Sequence, residues 1–296
     1  MPVVYSNSSP DAYGLSNNLS IGSVGIMGCT RSGNFTIQNS DLVIVLGNRL
    51  SPMTTDSDCT KFARSAKIIV IDIDEIEHKK EIIKIDKLIF GDVKEVLKKL
   101  LKIKNYVVDS EWVKTTNKWK KNLPSLIDNG KEDNKVDLYE LSETFSEVLP
   151  DNCAFITDSG LIELIMPTNI RFRRTQRCIH PSSQGSMGFA LPGIVGSHFA
   201  YDQVVVSVVG DGSIMMNLQE LQTIIYYDIP AKIFVINNNV YAVIRKRQKD
   251  LFRSRSIGVD PSDGVSCPDF SEVAKCFGFK YRKIISNVEL TSNVSS

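Results

Sequence analysis

The sequence has almost no excess of charge of either sign, few histidines and no closely paired cysteines. Its 296 residues include 35 lysines and arginines against 34 aspartates and glutamates, for a formal net charge of +1. We therefore expect no binding of nucleic acid or of an acidic membrane surface, and any bound anion must be held locally. The six cysteines form no C-x-x-C motif and the three histidines lie far apart, so we expect no zinc site, no disulfide framework and a reduced, cytoplasmic location.

Long hydrophobic runs are also missing. The longest, such as residues 67–73, have the length of a strand, and no basic and apolar leader follows Met1. We therefore expect neither a membrane span nor a secretion signal. The length and the hydrophobic content of 42% do allow a sizeable core, and they favour two domains over one.

Short apolar strands alternate with helical patterns along the chain. The segments 41–47 and 67–73 are uniformly apolar, which is typical of parallel strands covered on both faces, and residues 92–104 form an amphipathic helix pattern. A second series follows after a polar stretch. Its predicted elements are a helix at 136–149, a strand at 153–157, a helix from Met187, a strand at 203–209, a helix at 214–227 and a strand at 231–237. The pattern predicts the α/β fold class, with two doubly wound parallel-sheet domains.

The polar stretch marks a domain boundary. Between about Lys104 and Lys135 the composition turns polar, with Pro124 and Gly130 after a possible helix at 110–122. The sequence therefore predicts a first domain at 1–105, a linker at 106–135 and a second domain at 136–296.

Two polar motifs follow neighbouring apolar strands of the second part. Asp211 lies between Gly210 and Gly212 after the strand at 203–209, and three asparagines, 237–239, end the next strand. Because ligands of open parallel sheets gather beyond the carboxyl ends of the strands, these oxygen-bearing groups are expected to converge. A carboxylate and an amide suit Mg²⁺ with a phosphate partner, which Ser213 and backbone N–H groups could hold. The alternative for a single G-D-G is an aspartate that only caps the next helix.

The paired motifs resemble those of the thiamine diphosphate enzymes of the acetolactate synthase and pyruvate decarboxylase group. The matching stretch is "GDGSIMMNLQELQTIIYYDIPAKIFVINNNVYAVIRKRQ", which is similar above all to the acetolactate synthase branch. The resemblance implies that Asp211, Asn238 and the main-chain carbonyl of Val240 coordinate Mg²⁺. It also implies a diphosphate contact for Ser213. The other residues expected to line the cofactor here are Gly210, Gly212 and Met216.

A second segment, "SSQGSMGFALPGIVGS" at 182–197, resembles the part of this family that holds the aminopyrimidine ring. The resemblance implies that the Gly185 carbonyl accepts from the 4′-amino group, beside Ser186, and that Met187 wedges the cofactor into its bent form. Methionine is an adaptable apolar support, and glycine permits close approach. The alternative is that Met187 and Phe189 are simple core residues.

The first domain resembles the central domain of the same family, over "GSVGIMGCTRSGNFTIQNSDLVIVLGNRLS" and "AKIIVIDIDEIEH". In the acetolactate synthase branch that domain holds FAD, and Gly25, Gly28 and Arg31 could lie along the flavin. These glycines do not follow the G-x-G-x-x-G pattern after a strand, so FAD remains one alternative and a purely structural domain the other.

The glutamate that activates the cofactor in this family belongs to an N-terminal pyrimidine-binding domain of the neighbouring subunit, and no such domain precedes Met1. The chain stops at "NVELTSNVSS", before the last strand and helix usual in the family. We therefore expect both ends of the family's chain to be missing and no catalytic residue to lie in this chain. A pyrimidine-binding domain of the same protein or of another chain is the expected partner, and the chain alone is expected to be inactive.

A cluster of six basic residues follows the metal-binding strand; its members are Arg245, Lys246, Arg247, Lys249, Arg253 and Arg255. Arg247 stands where acetolactate synthases carry a tryptophan that shapes the acceptor pocket. The cluster either forms a solvated loop or meets an anionic acceptor such as a phosphorylated or nucleotide-linked sugar. His180, just before the aminopyrimidine segment, is either structural or assists proton transfer.

The resemblance implies a thiamine diphosphate- and Mg²⁺-dependent carboligase or decarboxylase acting on a 2-oxo acid, built as a homodimer or tetramer in its complete form. A rival hypothesis from another class is a non-catalytic cofactor-binding subunit or remnant that works by association. A third is that the first domain is an independent NAD or FAD binder.

Overall fold

The chain divides into two compact units. The computed structural model describes residues 1–14, 17–80, 83–104, 107, 109–125, 135–201, 203–287 and 289–290. The first unit comprises Met1–Asn7 and Leu15–Asp128, and the second comprises Ser8–Gly14 and Asn129–Ser296. The short segment Ser8–Gly14 thus belongs with the later part of the chain.

The first unit contains two parallel sheets, with strand orders β1-β2 and β3-β4-β5. Its strands are β1 (Val3–Ser6), β2 (Ser20–Val24), β3 (Leu42–Leu46), β4 (Lys67–Asp72) and β5 (Lys87–Phe90). Its helices are α1 (Arg31–Gln38), α2 (Pro52–Thr55), α3 (Val93–Leu100) and α4 (Ser110–Asn122), with 3₁₀ turns at Cys59–Lys61 and Glu77–Lys80.

The second unit is built on one parallel sheet with the strand order β7-β6-β8-β9. Its strands are β6 (Cys153–Thr157), β7 (Arg177–Ile179), β8 (Val204–Gly210) and β9 (Ala231–Ile236). Its helices are α5 (Leu138–Val148), α6 (Leu161–Asn169), α7 (Ala190–Tyr201), α8 (Asp211–Ile214), α9 (Glu220–Tyr226), α10 (Ala242–Leu251) and α11 (Phe270–Phe277).

Both faces of the second sheet are covered, as its uniformly apolar strands predict. In β8, Val206 and Val208 pack into one buried cluster, whereas Val205 and Val209 pack into another. Successive side chains of a strand point to opposite faces, so two clusters with this alternation must lie on the two sides of the sheet. The α/β fold class with two parallel-sheet units is confirmed.

Three predicted helix limits were wrong. The helix expected from Met187 begins at Ala190, because Gly188 has a φ of +80° and cannot belong to a right-handed helix. The helix expected at 214–227 is interrupted, since N–H groups of Met216 and Asn217 bond three residues back and form turns between α8 and α9. The helix expected at 92–104 ends at Leu100.

The segment predicted as a linker, 106–135, contains the helix α4, which contacts α1 and β2 of the first unit. The proposed domain limits themselves remain a prediction. Within the part of the chain that the structure describes, no helix is both long and apolar enough to span a bilayer.

Phe155 at the centre of β6 tests how the second unit is held together. It is fully buried, and its ring centroid lies 5.7 Å from that of Phe145 and 5.8 Å from that of Phe172. We expect Phe155→Ala to lower the free energy of unfolding by about 3–5 kcal/mol, because it leaves a cavity between α5 and β6. Denaturant titration measures this, with the exposed Phe252→Ala as the control; equal losses in both variants would contradict the packing described.

Candidate functional site

The four strands of the second unit are parallel, so their carboxyl ends meet at one edge of the sheet. A polar residue stands just beyond each of them: Asp158 after β6, His180 after β7, Asp211 after β8 and Asn237 after β9. This edge is where open parallel sheets bind ligands. The two motifs predicted to converge, at 210–213 and 237–240, follow the adjacent strands β8 and β9.

Asp211 is the buried centre of this edge, with 3% of its surface exposed. One carboxylate oxygen accepts the N–H of Gly212 at 2.8 Å, and the other accepts the N–H of Asn239 at 2.5 Å. No described basic side chain forms an ion pair with it. Its charge is therefore balanced only by backbone dipoles, which leaves oxygen lone pairs available to a cation.

The turn after β9 presents more oxygens beside Asp211. Asn239 has a φ of +54°, and the exposed Asn238 side chain accepts the N–H of Val240 at 3.1 Å. No described cluster of three or more histidine, cysteine or acidic side chains could hold a metal. The oxygens predicted to bind the cation are one carboxylate, one amide oxygen and one main-chain carbonyl, which is the hard and incomplete set that Mg²⁺ takes together with phosphate oxygens. The residues present therefore fit the cation.

The glycines around Asp211 have different roles. A Cβ on Gly210 would meet nothing within 4 Å, which leaves the open backbone that close approach of a ligand needs. A Cβ on Gly212 would lie 2.0 Å from Cε1 of Tyr241, so the ring of that tyrosine fills this space. Sequence reasoning missed Tyr241, although its position directly after the asparagine turn was a usable signal.

Ser213 is buried in the single turn of α8, and its hydroxyl has no hydrogen-bond partner among the described residues.

Asp158 is a second buried carboxylate that sequence reasoning missed. It is completely buried and accepts three backbone N–H groups, those of Ser159 (2.8 Å), Gly188 (3.1 Å) and Ala190 (2.8 Å). Two of these donors flank Phe189 and lead into α7, so the carboxylate fixes the start of that helix. Its signal in the sequence was the same as that of Asp211, an acidic residue directly after an apolar strand.

The segment expected to hold an aminopyrimidine is tied to the motif around Asp211. The side chain of Asn217 donates to the Gly188 carbonyl at 2.7 Å, and a Cβ on Gly188 would lie 2.7 Å from Cβ of Met216. Gly185, Ser186 and Met187 form an exposed stretch just before this contact. Met187 and Met216, both partly exposed, thus supply apolar surface near one edge of the sheet. The structure brings the two predicted cofactor segments together.

The glycines and arginine considered for FAD have structural partners in the first unit. The Asn34 side chain bonds both to the N–H and to the carbonyl of Gly25, and the guanidinium of Arg31 donates to the Pro124 carbonyl. A separate cavity of about 600 Å³ lies beyond β3 and β4. Its lining includes Gly47, Asp72, Ile73, Asp92, Lys94 and Lys98. The assignment of FAD to Gly25, Gly28 and Arg31 remains a prediction.

The basic cluster lies on α10 and the turn that follows it. Arg245 faces Asp260 at 3.7 Å and Lys246 pairs with Asp250 at 2.8 Å. The other four members form no ion pair with a described acidic residue; they are Arg247, Lys249, Arg253 and Arg255. Gln248 exchanges two hydrogen bonds with Ile257 and so folds the turn back onto α10. Part of the cluster therefore remains available to an anion.

The clamp made by Asp158 can be tested by a substitution of nearly equal size. In Asp158→Asn the side-chain NH₂ group faces backbone donors, so we expect a loss of about 1–3 kcal/mol in the free energy of unfolding. The matched control is Asp269→Asn, at the exposed N-cap of α11, where asparagine caps as well as aspartate. A Asp158→Asn variant as stable as the control in denaturant titration would refute the clamp.

Two family models match the chain, and both describe the same kind of protein. The thiamine pyrophosphate enzyme central domain matches residues 1–100, and the thiamine pyrophosphate enzyme C-terminal TPP binding domain matches residues 158–295. The second match begins at Asp158 and includes both motifs at the sheet edge.

Curated relatives agree with these matches. A probable acetolactate synthase large subunit of Methanococcus aeolicus is 30% identical over 290 residues, 92% of this chain and 47% of the relative. The acetolactate synthase large subunit of Cyanidium caldarium is 30% identical over 99% of this chain and 50% of its own length. The isozyme 3 large subunit of Escherichia coli K12 is 28% identical over 100% of this chain and 51% of its own length. The chain thus spans about half the length of these relatives, and it belongs to the thiamine pyrophosphate enzyme family.

Proposed function

We propose that this chain is the central and diphosphate-binding part of a thiamine diphosphate- and Mg²⁺-dependent enzyme of the acetolactate synthase type. The substrate would be a small 2-oxo acid, and carboligation is favoured over simple decarboxylation because the similar proteins are named acetolactate synthases. The observation that carries the proposal is the buried Asp211 carboxylate, whose partners among the described residues are all backbone donors and which lies beside the turn at 237–240.

In this proposal the residues at the sheet edge hold and orient the cofactor. Asp211, Asn238 and the Val240 carbonyl would bind Mg²⁺, and Ser213 would contact the diphosphate. When bound, thiamine diphosphate supplies the nucleophilic carbon that attacks the substrate carbonyl. The Gly185 carbonyl would fix the amino group of the pyrimidine ring, and Met187 would support the ring from one side. Asp158 and Asn217 both bond to Gly188 and so hold the segment that carries Gly185 and Met187 in place.

The activating glutamate would come from a pyrimidine-binding domain, in the same protein or in another chain. We therefore propose that turnover requires that domain and that the complete form is a homodimer or tetramer in the cytoplasm. The alternative of a non-catalytic subunit that acts by association makes the same prediction for this chain alone. The two differ once a pyrimidine-binding domain is added, because only the enzyme then consumes a 2-oxo acid.

The acceptor is proposed to be anionic. The ammonium and guanidinium groups of Lys249, Arg247, Arg253 and Arg255 form no ion pair with a described acidic residue, and α10 begins two residues after Val240. Guanidinium groups match phosphate geometry, so a phosphorylated or nucleotide-linked sugar is the proposed class.

A second cofactor, FAD, is proposed only for the first unit, where Gly25, Gly28 and Arg31 would lie along the flavin; the alternative is that this unit is purely structural. The cavity of about 600 Å³ beyond β3 and β4 is large enough for part of a nucleotide and lies where parallel sheets bind one. Lys94 and Lys98 are the cations in its lining. A yellow purified protein with flavin absorbance would support this proposal.

Substitution of Asp211 tests the proposed metal site. In calorimetric titration with thiamine diphosphate and Mg²⁺, Asp211→Ala should weaken binding by at least about 10–100-fold, because a direct ligand is lost. The control is Asp151→Ala, an exposed aspartate just before β6 and so at the opposite end of the sheet. Equal affinity of the two variants would leave Asp211 as a structural residue.

Substitution of Arg247 tests the proposed acceptor class. Titration with UDP-glucose, with glucose as the uncharged comparison, should give binding that Arg247→Trp weakens by about 10–100-fold, the effect of losing a charge-assisted hydrogen bond. Arg174→Trp, at another exposed site of the second unit, should bind like the unchanged protein. Unchanged affinity of the Arg247→Trp variant for UDP-glucose would contradict the proposed acceptor class.

A further inference from the structure

A buried carboxyl–imidazole pair lies beneath the exposed stretch that carries Gly185. Glu163, in the first turn of α6, and His180, directly after β7, have side chains that are only 8% and 2% exposed. Oε1 of Glu163 lies 3.6 Å from Nδ1 of His180. This is the only ion pair that either side chain forms among the described residues.

The pair is poorly satisfied. Both ring nitrogens of His180 are buried and lack a hydrogen-bond partner in the described part of the chain. A buried imidazole without a hydrogen-bond partner costs free energy, so His180 depends on the nearby carboxyl group of Glu163. The separation of 3.6 Å is too long for a hydrogen bond, so the two side chains form a close contact inside the fold without one.

The same pair is connected to the turn before Gly185 from two sides. The His180 carbonyl accepts the N–H of Ser182 at 2.9 Å, and the N–H of Gly185 bonds to the Pro181 carbonyl at 2.7 Å. A Cβ on Gly185 would lie 3.8 Å from the other carboxyl oxygen of Glu163. His180 thus begins the turn, and Glu163 lies against its end.

We propose that Glu163 and His180 act as a positioning pair and fix the turn 180–185, and through it the Gly185 carbonyl, for the aminopyrimidine end of the cofactor. This inference rests on the proposed function, since it assigns residues to the same site. The pair acts on the pyrimidine end only, because the diphosphate end is built separately from the residues around Asp211.

The test compares two ligands that share one end. Thiamine diphosphate with Mg²⁺ occupies both ends of the site, whereas inorganic diphosphate with Mg²⁺ occupies only the Asp211 end. We expect Glu163→Gln and His180→Asn each to weaken thiamine diphosphate binding about tenfold and to leave inorganic diphosphate binding unchanged. The double variant should be no weaker than either single variant, because the two residues act as a unit.

The matched control is Glu272→Gln, an exposed glutamate in the first turn of α11, which makes the same change at the same helix position. Equal weakening of both ligands, or additive losses in the double variant, would show that the residues are merely structural and would overturn the proposal. If the unchanged protein binds neither ligand, both the proposed function and this positioning role are contradicted.

A second measurement examines the pair without any ligand. The chain has three histidines, so His180→Asn assigns the imidazole NMR signals of His180. Glu163→Gln should shift these signals and Glu272→Gln should not. Shifted signals together with unchanged thiamine diphosphate binding would show that the two residues interact but do not position the cofactor. Unshifted signals would show that the two residues do not interact.

Discussion

The bond between the Asp211 carboxylate and the N–H of Asn239 holds the ends of two neighbouring strands together. The carboxylate is buried and its described partners are backbone donors. It therefore orders the turn at 237–240 while no described side chain of opposite charge pairs with it. A second buried carboxylate, Asp158, does the same for the start of α7. Two buried carboxylates therefore preorganise the edge of the sheet, and no described lysine or arginine forms an ion pair with either of them.

This charge explains why a cation belongs to the proposed function. A diphosphate placed beside Asp211 would be repelled in a weakly screened site, unless a divalent ion lay between the two anions. In the proposed function the exposed oxygens of the asparagine turn are the further ligands, and a Cβ on Gly210 would meet nothing within 4 Å, which leaves room for a ligand. The packing of Tyr241 on Gly212 fixes the distance between the two turns.

Much of the architecture was predictable, because uniformly apolar strands such as β6 and β8 allow few alternatives to a parallel sheet. The convergence of Asp211 with the asparagine turn followed from that topology. Asp158 was missed because its hydrogen bonds to Gly188 and Ala190 join residues that are distant in sequence. Glu163 was missed because only the fold brings it near His180. The break between α8 and α9 was missed because the apolar pattern runs through it, and the side chain of Asn217 is needed to explain it.

A crystal structure of the chain with thiamine diphosphate and Mn²⁺ in place of Mg²⁺, with the metal located by its anomalous scattering, tests the proposed metal site directly. If Asp211 and Asn238 hold the metal, we expect a peak within about 2.0–2.3 Å of an Asp211 carboxylate oxygen and of the Asn238 amide oxygen, with diphosphate oxygens completing the coordination. A bound cofactor whose metal lies elsewhere, with Asp211 still bonded only to backbone N–H groups, would contradict it.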